Sequence, residues 1–265
     1  MNAQELFSAG RLSEAIEAQL AEVKANPGDQ AKRLFLFELS AFSGDLDRAK
    51  RQIEALKFDD MELQMAAINY RDLLESERKR RLVHQEGTPP KFLFEAPEHA
   101  NLRLEALRQL RAGAAEQARA TLETAREKAP AISGTMNGKP FQALCDCDDL
   151  LGTVLEVMAK GEYFWVPLES IATIAMNPPR FPRDLIWAPA RLETHGSESG
   201  EVYLPALYAK SHEHADDAVK LGRTTDWEEI PNGPVLGRGG RMFLLDDDAI
   251  PLLEWRELIV DEGKE

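Results

Sequence analysis

Cys145, Asp146, Cys147, Asp148 and Asp149 place two thiols and three carboxylates in five consecutive residues, donor types that could hold a transition metal. The spacing argues against it. On a strand the cysteines share one face and Asp146 and Asp148 the other, so one tetrahedral site does not collect them, and the two-to-four-residue gap of ordinary zinc cysteines is missing. The plainer expectation is small buried cysteines, with aspartates solvated or capping the following helix. His212, Glu213 and His214 could complete a shell of two cysteines and two histidines, although neither half has standard spacing. Asp246, Asp247 and Asp248 could hold a divalent cation, yet no second carboxylate cluster at calcium-loop spacing accompanies them, and capping of a helix before Ala249 accounts for them. Gly237-Arg238-Gly239-Gly240 lacks the lysine and hydroxyl of a phosphate loop and precedes a β-prone run at 242–245, so it reads as a tight turn. There is no Gly-x-Ser-x-Gly, no recognisable Cys and His signature and no compelling carboxylate pair. The expectation is a non-enzymatic protein without cofactor or metal; a metal-dependent hydrolase built on Cys145/Cys147 or Asp246–Asp248 is the enzymatic alternative.

The elements that would carry these residues are legible in a repeat. Gly10, Ala15 and Pro27 recur at the same offsets as Gly113, Ala118 and Pro130, and Gly44 and Ala49 repeat two of the three, Gly44 following Gly10 by 34 residues. That period belongs to helical hairpins: the glycine ends one helix where φ is positive, Ser13 can cap the next, and the small alanine permits close packing. Asp45 or Asp47 serves as the cap in the second unit, whose proline slot holds Met61. The pattern resembles tetratricopeptide repeats over residues 1–60 and 98–130, with Phe37 where a small residue is usual. A helix-like stretch from Met61 to Gln85 ends on Arg78-Lys79-Arg80-Arg81, read either as cations complementing a helix C-terminus or as a docking patch. Pro89, Pro90 and Pro97 make 85–97 a connector.

After Pro130 the composition changes, with all four tryptophans and most of the prolines in 131–265. Two hairpins are expected, 153–158 with 162–166 around Ala159-Lys160-Gly161, and 184–193 with 201–209 across a polar loop. Arg241–Leu245 and Trp255–Val260 could add strands, the latter alternatively continuing a helix from Ala249. The fold class is therefore α+β: an all-α helical-repeat domain over 1–130, then a mixed, β-rich domain over 131–265 forming a small bent sheet or partial barrel.

Bulk properties narrow the partners. A net charge of −14 and a pI near 4.9 repel polyanions, so nucleic acid and anionic membranes are not expected partners. With 43% hydrophobic residues the chain supports a proper core, and no apolar run is long enough to span a bilayer. The N-terminal residues carry no basic stretch followed by an apolar one, and two cysteines two positions apart do not make an ordinary structural disulfide, so a cytoplasmic location is expected.

Three segments carry a more specific resemblance: 140–149 (PFQALCDCDD), 161–169 (GEYFWVPLE) and 178–187 (PPRFPRDLIW), supported by 239–248 and 250–257. In order and spacing they resemble the ImpE family, also called TagJ or SciE-type, accessory proteins of bacterial type VI secretion. The resemblance implies a cytoplasmic, non-enzymatic adaptor with helical repeats and an α+β domain. It also implies a partner, the N-terminal segment of the small contractile-sheath subunit, and an indirect link to the AAA+ ATPase that recycles the sheath. A general repeat-type scaffold or chaperone adaptor with another protein partner is the alternative. Capture of a short peptide, as a helix in an apolar groove or a strand on a sheet edge, directs attention to aromatic rings. Phe35, Phe37 and Phe42 are candidates on the second hairpin, with core packing as the competing reading. Tyr163, Phe164 and Trp165 are consecutive, so at least one ring points away from the other two. Arg180, Arg183 and Asp184 form either an ion pair within the fold or a charged rim.

Overall fold

The computed structural model describes residues 1–57 and 61–263; positions 58–60, included in the first repeat block above, lie outside the described residues. The helical part runs α1 (Ala3–Ser8), α2 (Leu12–Ala25), α3 (Gln30–Phe42), α4 (Leu46–Glu54), α5 (Met61–Glu86), α6 (Glu98–Arg111) and α7 (Ala115–Lys128). The repeat logic holds at its glycines and alanines. Gly10, Gly44 and Gly113 have φ of +80°, +76° and +75°, the left-handed conformation that ends a helix without a Cβ penalty. Ala15, Ala49 and Ala118 are each fully buried against a neighbouring helix. Ser13 does not cap: α2 already starts at Leu12, Arg11 makes no side-chain cap bond, and the Ser13 N–H instead donates to Asp217 Oδ2 at 3.2 Å. The cap of the first repeat thus comes from the far end of the chain.

The second part contains β1 (Gly134–Met136), β2 (Lys139–Phe141), β3 (Leu144–Asp146), β4 (Val154–Ala159), β5 (Glu162–Pro167), β6 (Ile171–Met176), β7 (Trp187–Thr194), β8 (Ser199–Pro205), α8 (Asp217–Lys220), β9 (Thr225–Glu229), β10 (Val235–Gly239), β11 (Met242–Leu245), β12 (Asp248–Pro251) and β13 (Glu257–Val260). Among the described residues, eight of these form an antiparallel sheet in the order β2-β1-β13-β6-β7-β8-β4-β5; β12-β11-β3 and β10-β9 form two smaller sheets. Both expected hairpins form. In β4–β5, Lys160 and Gly161 have φ of +50° and +75°, the two-residue turn whose twist matches the strands.

Two local expectations are corrected and one open choice is resolved. Leu245 pairs with Asp248, so Asp246 and Asp247 make a hairpin turn and not a helix cap; Asp246 Oδ1 accepts the N–H groups of Gln142 at 2.8 Å and Ala143 at 2.9 Å, which anchors the turn. Within 255–260, Glu257–Val260 is strand β13, and its register on β6 buries Leu258. Gly237 and Gly239 belong to strand β10; a Cβ on Gly237 would sit 2.3 Å from the Tyr208 ring, so the glycine serves close approach.

The two parts share a core. One face of the sheet offers Met158, Tyr163, Trp165 and Trp187 to Phe37, Leu73, Leu74 and Val83 of the helices. The other face buries Leu155, Val157, Val166, Ile174 and Leu258 under Phe243 and Trp255. Helix α5 lies across β4 and β5, and the basic run on it is neither a dipole complement nor a free patch. Arg78 pairs with Asp47 at 2.5 Å, Lys79 with Glu162 at 2.8 Å and Arg80 with Glu156 at 2.7 Å, while Arg81 Nη1 donates to the Gly44 carbonyl at 2.9 Å. All four residues clamp α5 between the repeats and the sheet. No helix among the described residues is long and apolar enough to cross a membrane.

Candidate functional site

A groove of about 550 Å³ opens between α5, the segment 177–184 and strands β7 and β8. Its geometry follows from local chemistry. Pro178 and Pro179 hold the chain extended. Asp184 Oδ2 then accepts the N–H groups of Arg180 at 2.9 Å and Phe181 at 3.0 Å, folding the segment into a single turn at Pro182–Leu185 and leaving Phe181 48% exposed on the rim. The Arg183 guanidinium lies 4.0 Å from the Phe181 ring centroid and 4.8 Å from that of Tyr70, and pairs with Glu38 Oε1 at 2.6 Å. Arg183 and Asp184 are therefore not each other's partners. Arg183 ties the groove to α3, Asp184 shapes the turn, and Arg180 stays exposed. Burial raises the Glu38 carboxyl above its ordinary range even though Arg183 opposes it. Trp187 forms the floor, backed by Phe37 at 6.3 Å, which also stacks on Tyr70 at 5.6 Å. Tyr203, Leu73 and Pro189 complete the walls.

A smaller cavity of about 220 Å³ shares Leu73 and Tyr203 with the groove and is otherwise largely polar, lined by Asn69, Asp72, Ser76, Lys160 and Glu201. Met61, Met65 and Ile68, at helical spacing on another face of α5, are exposed. Aromatic faces, proline rings and a rim cation suit the groove to holding apolar side chains, and none of its lining side chains pairs a nucleophile with a base.

The candidate aromatics named from sequence do not converge on one surface. Phe37, Phe42, Tyr163 and Trp165 are buried. Phe35 is half-buried, edge-on to Phe7 at 5.9 Å. Of the consecutive rings, Phe164 is the one that points away, packing on the opposite sheet face. Phe37 contributes to the groove only as support beneath it. The residues that sequence reasoning passed over are Tyr70, Phe181, Trp187 and Tyr203. Phe181 and Trp187 lay within the quoted 178–187 segment, whereas Tyr70 and Tyr203 carry no local signal.

The buried ionisable residues, and with them the clusters that invited a metal or catalytic reading, are engaged within the fold. Glu156, fully buried, accepts from Arg80 Nε and Nη2 at 2.7 Å each, from Arg241 Nη1 at 3.2 Å and from the Tyr163 hydroxyl, with His84 Nε2 at 3.5 Å. Burial pulls this carboxyl upward, but Arg80, His84 and Arg241 outweigh it and hold it well below the usual carboxylate range. Arg241 also pairs with Asp146 at 2.6 Å, to which Tyr208 donates at 2.8 Å. Asp148 accepts the N–H groups of Leu150 and Gly237 at 2.8 Å; burial and the neighbouring Asp146 push it up to about 7. Burial, then Asp146, pushes the Cys147 thiol up to about 12, so it is not a ready thiolate. His214 pairs with Asp226 at 3.1 Å, and burial with Arg81 pushes His212 down to about 4. Among the described residues no group of three or more His, Cys, Asp or Glu side chains could hold a metal ion.

Similarity to known proteins agrees with the quoted segments. Residues 138–259 match the family described as ImpE protein. Over 258 residues, 97% of this chain and 90% of the relative, the sequence is 35% identical to the type VI secretion system accessory component TagJ of Pseudomonas aeruginosa. The crystal structure of protein VPA1032 from Vibrio parahaemolyticus superposes with a TM-score of 0.89, covering 98% of both chains at 26% identity. Segment order, fold and near full-length identity therefore converge, and the chain belongs to the ImpE/TagJ family.

Proposed function

We propose that the protein is a non-enzymatic accessory component of a type VI secretion system, which captures the N-terminal segment of the small contractile-sheath subunit in the groove between α5 and residues 177–184. The observation that carries this reading is the groove itself: the rings of Tyr70, Phe181, Trp187 and Tyr203 surround one opening with Arg180 on its rim. Its relation to TagJ, named as an accessory component, supplies the secretion context. An amphipathic helix suits the site better than an added strand. The edge of β5 is already occupied at Lys91, which donates to the Tyr163 carbonyl at 3.1 Å and accepts from the Trp165 N–H at 2.9 Å, whereas the groove beside α5 is open. Any effect on sheath assembly or ATPase-driven recycling follows from holding that segment.

Isothermal titration of the full chain with a peptide of the small sheath subunit's N-terminal segment tests this. Phe181→Ala removes an exposed aromatic ring from the groove's rim, and the expected loss is about tenfold in affinity with an unchanged melting temperature. Absence of binding by the unaltered chain rejects the sheath partner, and an unbiased pull-down returning other proteins favours the general scaffold. Tight binding indifferent to both Phe181→Ala and Arg180→Glu rejects the groove.

A further inference from the structure

A second cleft lies between the α6–α7 hairpin and the β9–β10 ribbon. Its cavity of about 330 Å³ is at the small end of ligand pockets, which run from roughly 300 to 1,000 Å³. Leu107 and Leu110 from α6, Leu150 and Leu236 make the lining apolar, and Arg111 and Lys210 also line it. These two cations differ from the rest of the cleft's charges. Arg238 is neutralised by Glu228, and the Asp148 carboxylate is turned onto the N–H groups of Leu150 and Gly237. Arg111 donates only its Nε, to the Gln85 carbonyl at 3.0 Å, and among the described residues no carboxylate lies within ion-pair distance of Arg111 or Lys210. Two cations without counterions, set over leucines in a chain of net charge −14, are a local reversal of the protein's character.

We propose that this cleft is a second binding site, distinct from the α5 groove, for an acidic protein segment bearing aliphatic side chains. Carboxylates meet Lys210 and Arg111 at the mouth, and aliphatic groups replace water over the half-buried Leu110 and Leu236, with the buried Leu107 and Leu150 behind them. The occupant is set by complementarity: a basic segment meets like charge, and a purely apolar one leaves both cations unpaired as they lose solvent. The site stands whether or not the groove takes a sheath peptide.

The test uses the isotope-labelled full chain, titrated by NMR with acetyl-Leu-Glu-Leu-Glu-amide and its glutamine counterpart at low and high salt. The acidic peptide is expected to give saturable shifts confined to 107–115, 150–151, 209–210 and 236. Binding about tenfold weaker is expected for the glutamine peptide, and a similar loss for Lys210→Gln, together with weakening by salt. Lys210 makes no side-chain hydrogen bond among the described residues, so the variant's unchanged amide spectrum elsewhere verifies folding. Equal affinity for the two peptides, absence of saturable shifts, or shifts centred on Tyr70 and Phe181 would overturn the proposal. So would inorganic phosphate that saturates the same residues and displaces the peptide, which reassigns the cleft to a free anion.

Discussion

Replacing Arg80 by methionine interrogates the joint between the two parts of the molecule. Arg80 gives Glu156 two hydrogen bonds at 2.7 Å and the Leu207 carbonyl a third at 2.9 Å, and both charged groups are buried. Methionine keeps the length and apolar stem but strands the carboxylate, with Arg241 at 3.2 Å and the Tyr163 hydroxyl as its main remaining donors. Breaking one side of a buried pair costs about 3–5 kcal/mol. At about 2–4 °C per kcal/mol for a large domain, the melting temperature should fall by about 6–20 °C. The sign of the pH dependence is also determined. In the native chain Glu156 is held below its unfolded value, so its stabilisation is present above the unfolded pKa and is lost as pH falls through the folded one. Arg80→Met weakens that depression, leaving only His84 and Arg241 to sustain it, and the deficit against the native chain should therefore shrink on acidification. Urea and thermal unfolding followed by circular dichroism, with the double variant Arg80→Met/Glu156→Leu, complete the cycle. Arg241 retains Asp146 at 2.6 Å, so the double variant should recover at least about 1 kcal/mol relative to the sum of the singles. A fall of only a degree or two, or costs that simply add, would refute the view that this pair holds α5 to the sheet.

Two further perturbations probe the repeats. Alanine at Gly44 or Gly113 meets the same left-handed backbone, at φ +76° and +75°, at about 1–2 kcal/mol. At Gly44, however, the new Cβ would also lie 2.1 Å from His212 Cδ2, while at Gly113 it meets nothing within 4 Å. Gly44→Ala should therefore lower the urea midpoint clearly more than Gly113→Ala; equal shifts would mean that the α3–α4 turn does not bear on the histidine. His212 itself is held near 4, below its unfolded value of 6.5. Its contribution is full above pH 6.5 and is lost as pH falls towards 4, by about 1–2 kcal/mol at most after allowance for its partial exposure. His212→Gln should flatten the stability profile in that window, and a profile parallel to the native one rejects the assignment.

What could be read from the chain alone was whatever depends on neighbours in sequence. Gly10, Gly44 and Gly113 end helices because only the local backbone decides a positive φ, and Lys160-Gly161 closes a hairpin for the same reason. The segment 178–187 could be singled out for its family pattern, because residue order survives without coordinates. The same locality explains the misreadings. Asp246–Asp248 suits a helix cap or a hairpin turn equally well until β11 finds β12, and Ser13 suits a cap until Asp217 arrives from beyond the sheet. Tertiary structure alone decided that Tyr70, Phe181, Trp187 and Tyr203 share one groove, that Phe37 supports it from below, and that Arg78 to Arg81 act as a clamp. Burial and charge pairing are properties of residues far apart along the chain, and periodicity carries no record of which distant carboxylate or ring a side chain will meet.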